Sequence, residues 1–393
     1  MSATTPSTDR LPLPALLALA LVAFITVLTE ALPAGLLRQM SAGLGVSEAL
    51  AGQLVSLYAL GTLLTAIPLT AATQSWRRRP LLAVAILGFA VTNAVTALSG
   101  HYELTLVARF FAGVFAGLLW SLVAGYASRL VPDQLKGRAM AIVMAGIPLA
   151  LSVGIPAATF LGIHAGWRFA FGGMSLIALG LAGWMWLRIP DYPGQTAGQQ
   201  RSIAEVFMLP GIRAVLFVTL TFVLAHNLLY TYIAPFLVPS GLADRVDLIL
   251  LAFGIVALAS VWVVGLLVDR WLRQLVLAST VLFLAAAGAL GFWNHSAVTV
   301  FGAIAVWGLA WGGAATLFQT ASAKTAGSAA EVAQSMIVTV WNIAMAAAGV
   351  GGGLLLQREG ATIFPFALIA LLLPALIVTL RSRRHGFPSA ERV

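Results

Sequence analysis

Three ionisable side chains stand inside otherwise apolar runs of this chain, and each could carry chemistry. Glu30 lies in LTEALPAG, Arg109 in LVARFFAGVFAG and His226 in TFVLAHNLLYTYIAPF. Burying such a group is costly unless it is paired, neutralised or faces water, so each is a functional candidate. A carboxylate held between an apolar environment and a nearby cation can load and release a proton, which makes Glu30 a coupling candidate. Arg109 falls at a similar depth and is its natural partner; a fixed structural ion pair is the alternative. Arg109, Gly113 and Gly117 are spaced by four and share one helix face, and the glycines permit close helix packing. His226 could hydrogen-bond a sugar or base or titrate near neutrality, or it could be a satisfied structural histidine. Asn227 and Tyr230 flank it and could bind a polyhydroxylated ligand.

Weaker signals follow the same logic. Gln53 and Ser56 lie in the second apolar run, Trp307 and Trp311 share a face of the tenth, and Gln334 and Asn342 share a face of the eleventh. Pockets for small solutes combine amide and hydroxyl groups with flat apolar surfaces, so these residues are candidates for a cavity lining. Pro148 and Pro156, with Gly146 and Gly154, fall inside the fifth run. They predict a helix that bends or packs closely across an interface between two halves.

The elements that must position these groups are set by composition. The chain is 60% hydrophobic and 9% charged, with a mean hydropathy of +0.97. A soluble domain carries about 25% charged residues. A chain of 393 residues so poor in charge needs lipid around most of its perimeter. Twelve runs reach the ~20 apolar residues of a membrane helix: 13–37, 48–73, 81–99, 103–127, 139–163, 168–188, 211–237, 246–268, 275–293, 296–320, 331–356 and 361–380. The first run is too long for the core of a signal peptide and is expected to persist as a span. The longest connection, 189–210, is rich in Pro, Gly and Gln and falls near the midpoint. The expectation is an all-α membrane protein of two pseudo-symmetric six-helix bundles, 1–188 and 211–393, joined by a cytoplasmic linker and ending in a short cytoplasmic tail.

Charge and repetition support that plan. With the N-terminus inside, seventeen Lys and Arg residues, Arg10 and Arg392 among them, fall on inner segments and four (Arg38, Arg168, Arg245, Arg358) on outer ones. Both termini are therefore expected in the cytoplasm. A shift of 195 residues carries Trp76 to Trp271, Arg78 to Arg273, Gly113 to Gly308 and Gly117 to Gly312, which suggests duplication. The formal net charge of +9 belongs to these loops, so no nucleic-acid partner is expected. There is no cysteine, hence no disulfide and no thiol nucleophile. No metal-like cluster, no nucleophile beside a base and no phosphate-binding Gly-rich loop is present. An enzyme, an ATP-driven device and a scaffold are each disfavoured, and neither cofactor nor metal is expected.

Several segments resemble a known family. GLLVDRWLR, with Gly265, Asp269, Arg270 and Arg273, is similar to the signature cytoplasmic loop of the major facilitator superfamily. TAATQSWRRRP keeps Arg77, Arg78 and Arg79 but has Thr70 and Gln74 where the second half has Gly265 and Asp269. The resemblance implies that these loops form a cytoplasmic gate. Arg109 with Gly113 and Gly117 resembles the fourth-helix motif linked to proton coupling. SVGIPAATFLG resembles the antiporter motif, keeping Gly154, Pro156 and Gly162 without its adjacent Gly-Pro pair. TEALPAGLL followed by VSEALAGQLVSLYALG looks like the bacterial sugar-efflux branch of the twelve-helix drug:proton antiporters. The resemblance implies a monomeric carrier in the bacterial inner membrane. It would export a sugar, nucleoside or drug-like solute by alternating access, with protons as partner ion and the proton gradient as energy source. A proton symporter or facilitator importing a nutrient is the nearest rival.

Overall fold

A computed structural model describes residues 11–196, 201–242, 245–294 and 296–387. The termini, with Arg10 and Arg392, lie outside the described residues. Among the described residues, ten helical runs are long and apolar enough to cross a membrane, and two of them are too long to cross once. Leu248–Phe292 has 45 residues, about 68 Å at 1.5 Å per residue, against a hydrocarbon core of about 30 Å. It breaks at Trp271, whose φ of −124° and ψ of 24° are not helical. Ala297–Glu359 has 63 residues and turns at Gly327, where φ is +54°, a conformation that glycine adopts without steric penalty. Twelve passes result.

We number them α1 (Leu13–Gly35), α2 (Glu48–Ala72), α3 (Arg78–Leu98), α4 (Tyr102–Arg129), α5 (136–164) and α6 (Trp167–Arg188). The second set is α7 (Ile212–Thr231), α8 (246–270), α9 (272–292), α10 (297–326), α11 (Ala330–Glu359) and α12 (Phe364–Arg381). The expected gap between 268 and 275 is a kink instead. DRWLRQ contains neither Gly nor Pro, so helical hydrogen bonding resumes within one residue.

The buried apolar residues fall into clusters drawn either from residues up to Ile189 or from Val206 onward. The 195-residue offset holds in three dimensions. A Cβ on Gly113 would meet the Tyr58 main-chain oxygen, and one on Gly117 would meet Thr62 and Ala66. The shifted pair does the same: Gly308 faces the Phe253 main chain and Gly312 the Ala257 oxygen. Since 58 and 62 shift to 253 and 257, the α2–α4 contact is repeated as α8–α10. Gly113→Ala is expected to cost roughly 2 kcal/mol or more, because backbone rather than a movable side chain must yield. Thermal unfolding in detergent checks this; an unchanged midpoint would contradict the packing.

Pro148 and Pro156 do distort α5, which contains a π turn at Ala150–Gly154, in keeping with the lost donor and the bulk of Pro156. The expected packing is corrected. Gly146 closes on the Ala20 main chain and Gly154 on the Phe24 ring, both in α1 of the same half. What α5 presents to the other half is its opposite end, where Gly137 meets Val268 and Asp269, and Ala141 meets Gly265.

Candidate functional site

In the first half, α1, α2 and α4 converge on Arg109, which is fully buried. Its Nε donates to the Leu54 carbonyl at 3.3 Å and its Nη2 to the Glu30 main-chain carbonyl at 3.4 Å. The guanidinium carbon lies 4.8 Å from the Tyr58 ring centre, a cation–π distance. Tyr58 is held in turn by donating to the Thr26 carbonyl at 3.2 Å. Arg109 and Glu30 do meet, as neighbours at one depth, but through the Glu30 main chain; the alternative of a fixed ion pair is not what the structure has. The two charges are electrostatic neighbours, but no bridge of 4.0 Å or less joins them among the described residues. The Tyr58 ring under the guanidinium turns its fork toward two backbone carbonyls and leaves the carboxylate separate. Arg109 Nη1 has no partner. Beside this group, Asn93 donates to the Thr29 hydroxyl at 3.2 Å. Tyr58 and Asn93 were missed in the sequence; a polar Asn inside α3 was the available signal.

In the second half, aromatic rings gather around His226. It stacks on Trp311 with ring centres 3.4 Å apart and planes 3° from parallel. Trp307, Tyr230 and Phe253 lie at 5.2, 5.3 and 5.8 Å. Trp311 extends the cluster to Trp341 at 5.6 Å and Phe222 at 6.1 Å. His226 Nδ1 and Trp307 Nε1 are buried without a hydrogen-bond partner. Four expected residues thus meet, but Trp307 is fully buried and belongs to the packing behind the cluster, not to a lining.

The remaining cavity candidates do not join it. Asn227 and Asn342 each donate to their own helix, to Val223 and Val338, at 2.9 Å. The Gln53 amide oxygen accepts from Tyr102 at 3.1 Å, and Ser56 is exposed. Gln334 is a correction: it is buried and donates to the Gln319 carbonyl at 2.7 Å, while Gln319 donates to Met144 Sδ across the two halves at 3.1 Å. It helps close one end of the bundle.

That end carries the arginine-rich loops, and the described hydrogen bonds and ion pairs that link the two bundles lie there. The Asp269 carboxylate accepts the main-chain N–H groups of Gly137 at 2.5 Å and Arg138 at 3.0 Å, capping the start of α5. Lys324 Nζ lies 3.9 Å away. Arg78, 1% exposed, pairs with Glu331 of α11 at 2.8 Å, and Arg129 pairs with the same carboxylate at 3.0 Å. Other expected gate residues stay within their own half. Arg77 pairs with Asp191 at 2.6 Å and Arg79 covers the Trp186 ring at 4.7 Å. Burial alone would push the Asp191 carboxyl up; the Arg77 guanidinium and the Arg79 amide outweigh it and hold it below the usual carboxylate range. Arg273 donates to the Thr379, Leu380 and Phe387 carbonyls, and Arg270 is exposed. Glu331 and Arg129 were not anticipated. Behind their bridge is a cavity of about 580 Å³, also lined by Lys136, Gln195 and Arg201.

Two duplicated six-helix bundles, closed at one end and holding isolated charges and an aromatic cluster within, define a membrane carrier. The chain belongs to the Major Facilitator Superfamily, whose family model matches residues 19–349, and it is a multi-pass membrane transporter, not an enzyme. It is 32% identical to a chloramphenicol efflux pump of Mycobacterium tuberculosis, over 91% of this chain and 90% of that protein. It is 25% identical to the purine ribonucleoside efflux pump NepI of Escherichia coli (strain K12), over 90% of each. The transporter FucP shares the fold, with a TM-score of 0.75 and 15% identity over 94% of this chain and 97% of that one.

Proposed function

We propose that the chain exports a small solute in exchange for protons by alternating access, with Glu30 as the proton-carrying group. The observation that carries this reading is the division of labour around Arg109. The guanidinium is committed to backbone carbonyls, so the neighbouring carboxylate is free to take up a proton without dismantling the helix contact. Relatives named as efflux pumps for chloramphenicol and purine ribonucleosides support the direction of transport. The positive-inside bias favours the arginine-rich end facing the cytoplasm, and the bacterial efflux-pump relatives favour an inner membrane. On that assignment the cytoplasmic gate is closed, and the chain acts as a monomer with 1–188 and 211–393 as its moving halves.

The aromatic cluster is the solute-recognition surface in this reading. Tyr230 is exposed and Trp311 is partly exposed, with His226 stacked on one of its faces; the aromatic surface they leave open suits a nitrophenyl group or a purine alike, because stacking tolerates different ring systems. Removing one such face costs about 1 kcal/mol of binding. Trp311→Ala is therefore expected to raise the half-saturating concentration for chloramphenicol or a purine ribonucleoside by roughly fivefold, with the maximal rate less affected. Transport assays in cells expressing each variant measure this; an unchanged half-saturation would remove Trp311 from the recognition surface.

A further inference from the structure

Four positions of one gate have counterparts in the other. The 195-residue shift carries Gln74 to Asp269, Arg78 to Arg273, Arg129 to Lys324 and Lys136 to Glu331. On the side of the second half, the carboxylate is in the last turn of α8: Asp269 faces the start of α5 and has Lys324 beside it. On the side of the first half the loop has no carboxylate at the matching position, and Gln74 stands there with a buried, unpartnered amide oxygen. The opposed helix supplies one instead. Glu331 is in the first turn of α11, the place where α5 has Lys136, and it pairs with Arg129, the counterpart of Lys324. Arg78 joins the two sites, hydrogen-bonding the Gln74 carbonyl at 2.9 Å and ion-paired with Glu331 at 2.8 Å.

We propose that Glu331 is the relocated gate carboxylate of the first half: the charge lost from loop position 74 has been re-supplied from the N-terminus of the facing helix, and its bridge to Arg78 and Arg129 locks the arginine-rich end shut. The relocation changes the character of the lock. Asp269 is held mainly by two backbone amides of the opposite half, with Lys324 of its own half at 3.9 Å and the Arg138 guanidinium at the 4.0 Å limit. Glu331 is held by two guanidinium groups of the opposite half, so opening this end must pull a buried carboxylate off both. Gly125 of α4 packs against the Glu331 side chain, leaving no room for a Cβ, which fits a site shaped around that carboxylate. Loss of one partner from a buried pair is strongly destabilising to the arrangement that holds it. Here that arrangement is the closed gate. The inference rests on the alternating-access reading, but it requires neither a known substrate nor proton coupling.

The test uses the absence of native cysteine. Ser335 is fully buried and lies one turn inward of Glu331 on α11, on the same face. In purified Ser335→Cys protein, maleimide labelling reports opening of this end. Glu331→Gln is expected to accelerate labelling about tenfold or more, and Gln74→Asp in that background to return it toward the parent rate. Parent-rate labelling of folded Glu331→Gln would overturn the lock. Fast labelling that Gln74→Asp leaves unchanged would overturn the relocation. If Glu331→Gln does not purify in folded form, the mirror exchange asks the same question. Asp269→Asn should label fast, and Asp269→Asn with Lys136→Glu should label at the parent rate; persistent fast labelling of the double variant contradicts the equivalence. Loss of efflux with slow labelling intact would count against the transport reading alone.

Discussion

Cells expressing Glu30→Gln are expected to accumulate chloramphenicol or purine ribonucleoside to the level of cells lacking the protein, with the variant present in the membrane in normal amount. Glutamine keeps the size and polarity of the side chain and removes only its ability to ionise. The Glu30 group that touches Arg109 is its main-chain carbonyl, which the substitution retains, so folding should be little affected. The same variant should still exchange solute down a concentration gradient, because alternating access itself needs no proton once the group is permanently neutral. Retained uphill export by Glu30→Gln would take Glu30 out of the coupling step.

The second large effect is expected from a substitution that conserves charge. Arg109→Lys should lose most of the transport activity and also lower thermal stability. The Arg109 fork reaches the carbonyls of Leu54 in α2 and Glu30 in α1 while its plane lies over Tyr58. A lysine ammonium is a compact point donor that cannot span two helices and stack at once. One of the two charge-assisted hydrogen bonds would be lost, at about 1.5–3 kcal/mol. If charge alone were the requirement, the lysine variant would export at the parent rate; transport assayed beside detergent melting separates the two cases.

These residues also show what the sequence made legible. Hydropathy reveals the twelve passes because lipid demands long apolar runs whatever the tertiary contacts. The kink at Trp271 escaped it, because no helix breaker marks the site. Glu30 and Arg109 stand out because charge is rare in such runs, and their common depth follows from counting residues. That Arg109 would bond backbone rather than carboxylate depends on where Tyr58 places its ring, a tertiary fact with no periodic signature. The stacked His226, Tyr230, Trp307 and Trp311 were legible in part because i, i+4 spacing sets pairs on one face. Gln334 and Asn342 share a face too, yet eight residues separate them by about 12 Å of depth, enough to put one in the closed end. Arg78 and Asp269 were visible through their loop patterns. Glu331 was not, because its role emerges only when the two halves close on one another.

In the proposed cycle, solute leaves the cytoplasm in exchange for protons entering it. Everted membrane vesicles carrying the protein, with a pH-sensitive dye trapped in the lumen, test it directly. Addition of chloramphenicol or a purine ribonucleoside to vesicles with an acidified lumen should drive uptake of the solute beyond equilibrium together with exit of protons; Glu30→Gln vesicles should only equilibrate the solute, with no proton exit. Protons moving into the lumen alongside the solute, or solute uptake with no proton movement at all, would contradict the account.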